Sequence, residues 1–256
     1  MTAPAITLLT DFGTADGYVA EMKGVLLCTA PGVPLLDMSH EVPAHDVEFA
    51  RLTLARYWRR YPVGTVHLVV VDPGVGSSRA AIAVSSDGRY LVGPDNGVLS
   101  PALFAMDARV VTLPINPNAS PTFHGRDVFA PAAAALAGGA TLDELGDPLL
   151  EPLRRRTPQP VRRADGMIDG EVLTIDRFGN ALTNILAREA SAVVVSARGA
   201  TQTLRVVATY ADAVPGEAVA LVGSSGFLEI AVRDGSAAAM LDIGRGQRVA
   251  VAQSGR

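Results

Sequence analysis

The sequence predicts two folded parts. An α/β N-terminal domain with a mostly parallel sheet comes first, and a small antiparallel β-domain, barrel or sandwich, follows it. Three observations carry this. In the first half, almost continuously apolar strand-like runs alternate with stretches of helical spacing, the pattern of a sheet covered on both faces. The stretch DPLLEPLRRRTPQPVRRADG is rich in proline and arginine and has no apolar period, which marks a linker. Beyond it, short alternating runs are parted by turn residues at close spacing. The domains are therefore expected at 1–155 and 166–256, with 156–165 linking them.

Taken in order, AITLLT is β-branched and apolar and reads as a buried strand ending at Asp11. DGYVAEMKGVLLCTAPG has helical spacing at Tyr18, Met22, Val25 and Leu26 and stops at Pro31-Gly32. VPLLDMSH is a second strand. AHDVEFARLTLARYWRRYP is a second amphipathic helix, with Asp46 as its N-cap and Pro62 closing it. TVHLVVVD is a third strand, and AAIAVSS, RYLVGPD and VVTLP are shorter ones. GRDVFAPAAAALAGG reads as a helix of small residues, for which Asp127 is the natural N-cap. GEVLTIDRFG, SAVVVSARG, TLRVVATY, EAVALVG, FLEIAV and QRVAVAQ are the strands of the second part. No internal repeat is visible.

A chain of 256 residues with 48% hydrophobic content can bury a sizeable core. The net charge of −4 offers no basic patch for nucleic acid. Cys28 is the sole cysteine, which excludes an internal disulfide and any cysteine-based zinc or iron–sulfur site. It sits in the apolar run GVLLCTA and is expected to be a buried thiol. MTAPAITLLTDFG has neither a basic n-region nor a long apolar h-region, and APAAAALAGGA is too short to span a bilayer. A soluble cytoplasmic protein is the expectation.

Polar features stand where strands end, the side on which parallel α/β sheets bind ligands. Asp11 ends the first strand, where a cap or turn aspartate is the plain alternative. TDFG matches the metal-binding triplet of kinases, but no HRD loop or preceding glycine-rich loop accompanies it. After the second strand, Asp37, His40, His45 and Asp46 are of metal-ligating types, yet Pro43 keeps the two histidines off a common helix face. A turn with one pocket-lining histidine fits that spacing better.

VDPGVGSSR follows the third strand. It lacks the GK[ST] of a phosphate loop and the third glycine of a dinucleotide fingerprint. What remains is Asp72 and Arg79 on the arms of a turn, equally readable as a surface ion pair. His124 in TFHGRD precedes a helix, where a lone histidine can simply pack. GPDNG is good type I′ turn chemistry and needs no function. IDRFGNALTNI places Asp176, Phe178, Asn180 and Asn184 together, an aromatic beside amides.

In sum and in order, LTDFG, DMSHEVP, VVVDPGVGSSR, GPDNG, FHGRDVFAP, IDRFGNALTNI and GSSGFLEIAV make the chain resemble the S-adenosyl-L-methionine hydroxide adenosyltransferase family, relatives of the fluorinases and chlorinases. The seven motifs run over nearly the whole chain. The resemblance implies an α/β N-terminal domain joined to a β-barrel, and a homotrimer with active sites between subunits. It implies hydrolysis of S-adenosyl-L-methionine to adenosine and L-methionine, without a cofactor or metal.

The resemblance assigns Asp72, Arg79 and His124 to catalysis and Asp11 to the ribose diol. Asn180 and Phe178 fall at the adenine, with Glu229 and the backbone near Val232. Asp16, Asp176 and Ser224 fall near the methionine head. His45 stands where the halogenases place an aromatic that flanks the nucleoside.

The chemistry implied is alignment of a water with the ribose C5′, at roughly 3–3.5 Å, opposite a sulfonium that is already a good leaving group. Water is a poor nucleophile, with a pKa of about 15.7. His124 is suited to take its proton, and Arg79, fixed by Asp72, to stabilise the developing hydroxide. Two other readings share the same residues: a halogenase, and a non-catalytic binder of adenosine or S-adenosyl-L-methionine. Asp72 argues against the first, because a carboxylate repels a halide, and so does Val75, which lacks the hydroxyl a fluorinase supplies. The presence of the whole Asp72, Arg79 and His124 set argues against the second.

Overall fold

The structure is a computed structural model that describes residues 5–186, 190–197 and 200–253. The chain divides into two compact units, Met1–Arg156 and Thr157–Arg256. The elements of the first are β1 (Ile6–Thr10), α1 (Tyr18–Thr29), β2 (Leu35–Ser39), α2 (Val47–Tyr57), β3 (Val66–Val70), β4 (Ala81–Ser86), β5 (Arg89–Pro94), α3 (Ser100–Leu103), β6 (Arg109–Thr112), α4 (Ala130–Ala137) and β7 (Asp147–Pro148). They build a seven-stranded sheet in the order β2-β1-β3-β5-β4-β6-β7. The first four strands of that order run parallel, and the β5-β4-β6-β7 pairs are antiparallel.

The two central parallel strands, β1 and β3, are buried at every position because both their faces are covered. Successive residues point to opposite faces. Leu8, Leu68 and Val70 pack with Met22 and Leu26 of α1 and Phe129 beside α4. Leu9, Val69 and Val71 pack with Leu54 of α2, Trp58 and Leu99. The α2 start is fixed by Asp46, whose side chain accepts from the Phe49 N–H at 2.9 Å.

Two local expectations are corrected. Cys28 is exposed rather than buried. The face of α1 that packs is Val19, Met22 and Leu26, and Cys28, two positions past Leu26, turns to the opposite side. Asp127 does not cap the fourth helix. A π-helical segment, Gly125–Phe129, starts that helix earlier and runs directly into α4, so Asp127 lies within it. Its carboxylate instead accepts from the Ser120 N–H at 2.8 Å and pairs with Arg126.

The second unit holds β8 (Val161–Arg162), β9 (Ile168–Ile175), β10 (Ala181–Thr183), β11 (Ala190–Ala197), β12 (Ala200–Arg205), β13 (Ala218–Val222), β14 (Leu228–Val232), α5 (Ala237–Leu241) and β15 (Arg248–Gln253). The sheet order is β12-β11-β15-β9-β10-β14-β13, antiparallel at every step, with β8 paired to β9. A bridge between Val206 and Ala220, with Val207 N–H donating to Ala220 O at 2.8 Å, joins the two outer strands and nearly closes a barrel. Val172, Val193, Leu204, Ile230 and Val251 fill its interior. Within 156–165, Val161–Arg162 belongs to this sheet. Among the described residues, no helix is long and apolar enough to cross a membrane.

Candidate active site

The four parallel strands end side by side, so the residues just past them share one edge of the sheet. His40 follows β2, Asp11 follows β1, Asp72 lies two residues past β3, and Asp95 and Asn96 follow β5.

Asp72 and Arg79 do face one another, and not on the surface. Arg79 donates from Nε to Asp72 Oδ1 at 2.9 Å and from Nη2 to Oδ2, a bidentate pair. Their side chains are 10% and 6% exposed, which rejects the surface ion-pair reading. The turn between them depends on Gly76, which sits at φ +76°. A Cβ there would meet the Pro121 carbonyl oxygen at 2.5 Å. Only glycine allows that backbone conformation and that approach, which sets the loop against the segment leading to His124.

His124 is buried, and its Nδ1 lies 2.9 Å from Arg79 Nη2. A guanidinium only donates, so Nδ1 is the acceptor and His124 is the neutral Nε2–H tautomer. Burial, reinforced by the Arg79 charge, holds its pKa below the ordinary histidine value, against the opposing pull of Asp72 and Asp127. Arg79 also lies over the Phe129 ring at 5.3 Å, and its Nη1 is buried without a hydrogen-bond partner among the described residues. The result is a buried chain, carboxylate to guanidinium to neutral imidazole, with one free guanidinium N–H edge.

Asp11 and His45 are brought together: the Asp11 carboxylate accepts from the His45 N–H at 2.8 Å, and His45 takes the left-handed backbone conformation, φ +67°. Asp16 is exposed in the turn before α1. Phe12, Tyr18 and Phe123 form a ring cluster with centroids 5.4–5.8 Å apart. It ties the end of β1 to the segment before His124. Sequence reading missed it, because Phe123 comes from a stretch distant from Phe12 and Tyr18.

The other metal-type residues serve structure. Asp46 caps α2, Asp37 pairs with Lys23 at 2.6 Å, and His40 bonds Thr10 Oγ1 through Nδ1 at 2.9 Å. Its Nε2 lies 3.0 Å from Asp37 Oδ1 but off the hydrogen-bond direction. Among the described residues no three His, Cys, Asp or Glu side chains cluster as a metal site.

In the second unit, Asp176 organises the β9–β10 turn. Its Oδ1 accepts from the N–H groups of Phe178 and Asn180, both at 2.9 Å, and its Oδ2 from Asn180 Nδ2 at 3.1 Å. Phe178 is thereby held out, 75% exposed, an apolar ring displayed rather than packed. Glu229 and Val232 lie on β14, both buried, and Ser224 is exposed in the turn before it. Glu229 accepts a short hydrogen bond from the Tyr210 hydroxyl. Burial and the Glu229 carboxylate push that hydroxyl's pKa upward. Sequence reading did not single out Tyr210, since nothing local links it to Glu229.

The chain is similar to known proteins over nearly its whole length. Residues 6–146 match the family model of the SAM hydroxide adenosyltransferase N-terminal domain, and 170–250 that of its C-terminal domain. An (R)-S-adenosyl-L-methionine hydrolase of Salinispora arenicola is 41% identical, over 98% of each chain. A fluorinase of an Actinoplanes species is 28% identical, over 89% of this chain and 90% of its own. The crystal structure of an uncharacterized conserved protein from Thermotoga maritima superposes with a TM-score of 0.88 at 35% identity, covering 97% of this chain and 100% of that one. The chain belongs to the SAM hydroxide adenosyltransferase family.

Proposed function

We propose that this chain hydrolyses S-adenosyl-L-methionine to adenosine and L-methionine, with Asp72, Arg79 and His124 as its catalytic set. The observation that carries the reading is the buried Asp72–Arg79–His124 chain at the carboxyl edge of the parallel strands. The hydrolase relative at 41% identity supports it.

A water oxygen attacks the ribose C5′ in line with the C5′–S bond. The C–O bond forms as the C–S bond breaks, the sulfur keeps the bonding pair as methionine thioether, and one proton is released. The sulfonium leaves without a metal, cofactor or general acid. Arg79 stabilises the charge that develops on the attacking oxygen through a preorganised donor. Its own charge is compensated by Asp72, so no free cation is offered to a halide. This, with the lower identity to the fluorinase, supports water rather than chloride or fluoride as nucleophile.

In the same proposal Asp11 holds the ribose diol and His45 flanks the nucleoside. Phe178, Asn180, Glu229 and the Val232 backbone receive the adenine. Asp16, Asp176 and Ser224 receive the methionine head. The family resemblance supports a homotrimer with active sites between subunits, and a cytoplasmic location is part of the same proposal.

The test is incubation with S-adenosyl-L-methionine and chromatography of the products. Adenosine above the spontaneous background is expected. Its absence with tight binding would indicate a sensor, and a 5′-halo-adenosine formed with added chloride or fluoride would indicate a halogenase. Sedimentation gives the oligomeric state, and a monomer would refute the trimer.

A further inference from the structure

We infer that Asn96, in the turn after β5, is a positioning residue that holds the Asp72–Arg79 loop in its working shape. The inference rests on the hydrolase reading above. The catalytic pair occupies the two arms of one loop, and the β5 turn grips the chain just outside both arms. Asn96 Nδ2 donates to the carbonyl of Val71, the residue before Asp72, at 2.8 Å. The Asp95 N–H donates to the carbonyl of Ala80, the residue after Arg79, at 2.9 Å. Val71 lies one residue past the last paired position of β3, where strand pairing no longer fixes the chain. The side-chain amide of Asn96 takes over there.

The brace is itself rigid. The other end of the Asn96 amide accepts from the Val98 N–H at 3.1 Å, so both ends of the amide are engaged and its orientation is determined. Arg155 Nε donates to the Asn96 carbonyl at 2.9 Å, and the Leu153 N–H donates to Asp95 Oδ1 at 2.9 Å. Gly97, at φ +93°, lets the Arg155 side chain lie where a Cβ would be, 2.5 Å from its Cγ. A turn needed only to reverse the chain would require neither the amide reaching Val71 nor this strapping. Aspartate at position 96 would keep the acceptor for Val98 and set an oxygen against the Val71 carbonyl, so the geometry specifies the amide.

The experiment compares Asn96→Ala and Asn96→Asp with the parent and with Thr141→Ala, which removes a capping box in another turn of the same unit. Asn96→Ser serves where the alanine variant does not fold. Both Asn96 variants are expected to lose about tenfold or more in kcat with KM within about twofold, since misplacing a catalytic group by an ångström costs up to about 10²-fold. Thr141→Ala keeps the parent kcat.

A second readout does not depend on turnover: NMR titration of the His124 ring, whose charged neighbours are Arg79, Asp72 and Asp127. A loosened loop draws Arg79 away from Nδ1, so the His124 midpoint rises in both Asn96 variants. A parent that makes no adenosine would remove the hydrolase reading, while a risen midpoint would still uphold the brace. Variants with parental kcat and a parental His124 titration would overturn the inference and leave Asn96 a plain turn residue.

Discussion

Replacing Asp72 by asparagine keeps the shape of the side chain and removes its charge. In the folded chain that carboxylate accepts both Arg79 Nε and Nη2, and neither partner is more than 10% exposed. The variant therefore buries an uncompensated guanidinium and turns an amide N–H toward one of its donors. Breaking a buried pair from one side costs about 3–5 kcal/mol. For a chain of this size that is a fall of roughly 6–20 °C in Tm at about 2–4 °C per kcal/mol. In the proposed mechanism the released guanidinium also loses its fixed aim at the reacting oxygen, and losing one preorganised donor costs about 10²–10³ in kcat. Adenosine formation and thermal unfolding measure the two effects. Adding Arg79→Gln to Asp72→Asn separates them: with both charges gone, stability recovers while turnover stays low. An Asp72→Asn protein within about threefold of the parent kcat would falsify the assignment of the pair to catalysis.

Acid should destabilise the fold through His67, which burial, with Arg89 adding to it, holds at about pKa 4. Its folded pKa lies below the ordinary 6.5, so the unfolded chain binds the proton first and stability falls as pH drops from 6.5 to 4. The loss is at most about 3 kcal/mol, and His67→Gln should flatten that part of a stability-against-pH curve; an unchanged slope would refute this. Gly76→Ala should lose about 1–2 kcal/mol from its φ alone, more from the approach to Pro121, and turnover with it. Parental Tm and rate would count against the tight loop. Asp46→Ala should cost about 1 kcal/mol in thermal unfolding by removing the α2 cap, and no change in stability would show that the bond to Phe49 is replaced by water.

Apolar continuity made the parallel strands legible, because a strand covered on both faces has no polar phase to hide. The Asp46 cap was legible for a similar reason: it is a contact across three residues. Cys28 was misread because an apolar neighbourhood in the sequence is not a buried face, and only the helical phase set by Val19, Met22 and Leu26 decides which side packs. The π-helical start at Gly125 was invisible, since no composition signals one extra residue per turn. Asp72 and Arg79 were visible as a spacing, but only burial separates a pair held inside the fold from one that decorates a surface. Around the pair lie the Phe129 ring, over Arg79, and His124, 45 residues beyond Arg79. Tyr210 on Glu229 and Asn96 on Val71 are contacts of the same kind, made by chain reversal and carried by no local pattern.

The tautomer of His124 bears on where the proton goes. Sequence chemistry suited the imidazole to take it, yet the lone pair at Nδ1 is engaged by Arg79, and Nε2 carries hydrogen. To accept a proton at Nδ1, His124 must first give up the guanidinium, and the resulting imidazolium would stand beside Arg79, which already depresses its pKa. Asp72 is differently placed. Each of its oxygens accepts one hydrogen bond from Arg79 and retains a second lone pair, yet a proton there would cancel the charge that compensates the buried guanidinium. In the proposed mechanism a proton on either side chain therefore works against Arg79. His124 is the neutral partner of Nη2, and among the described residues Nη1 is buried with no hydrogen-bond partner.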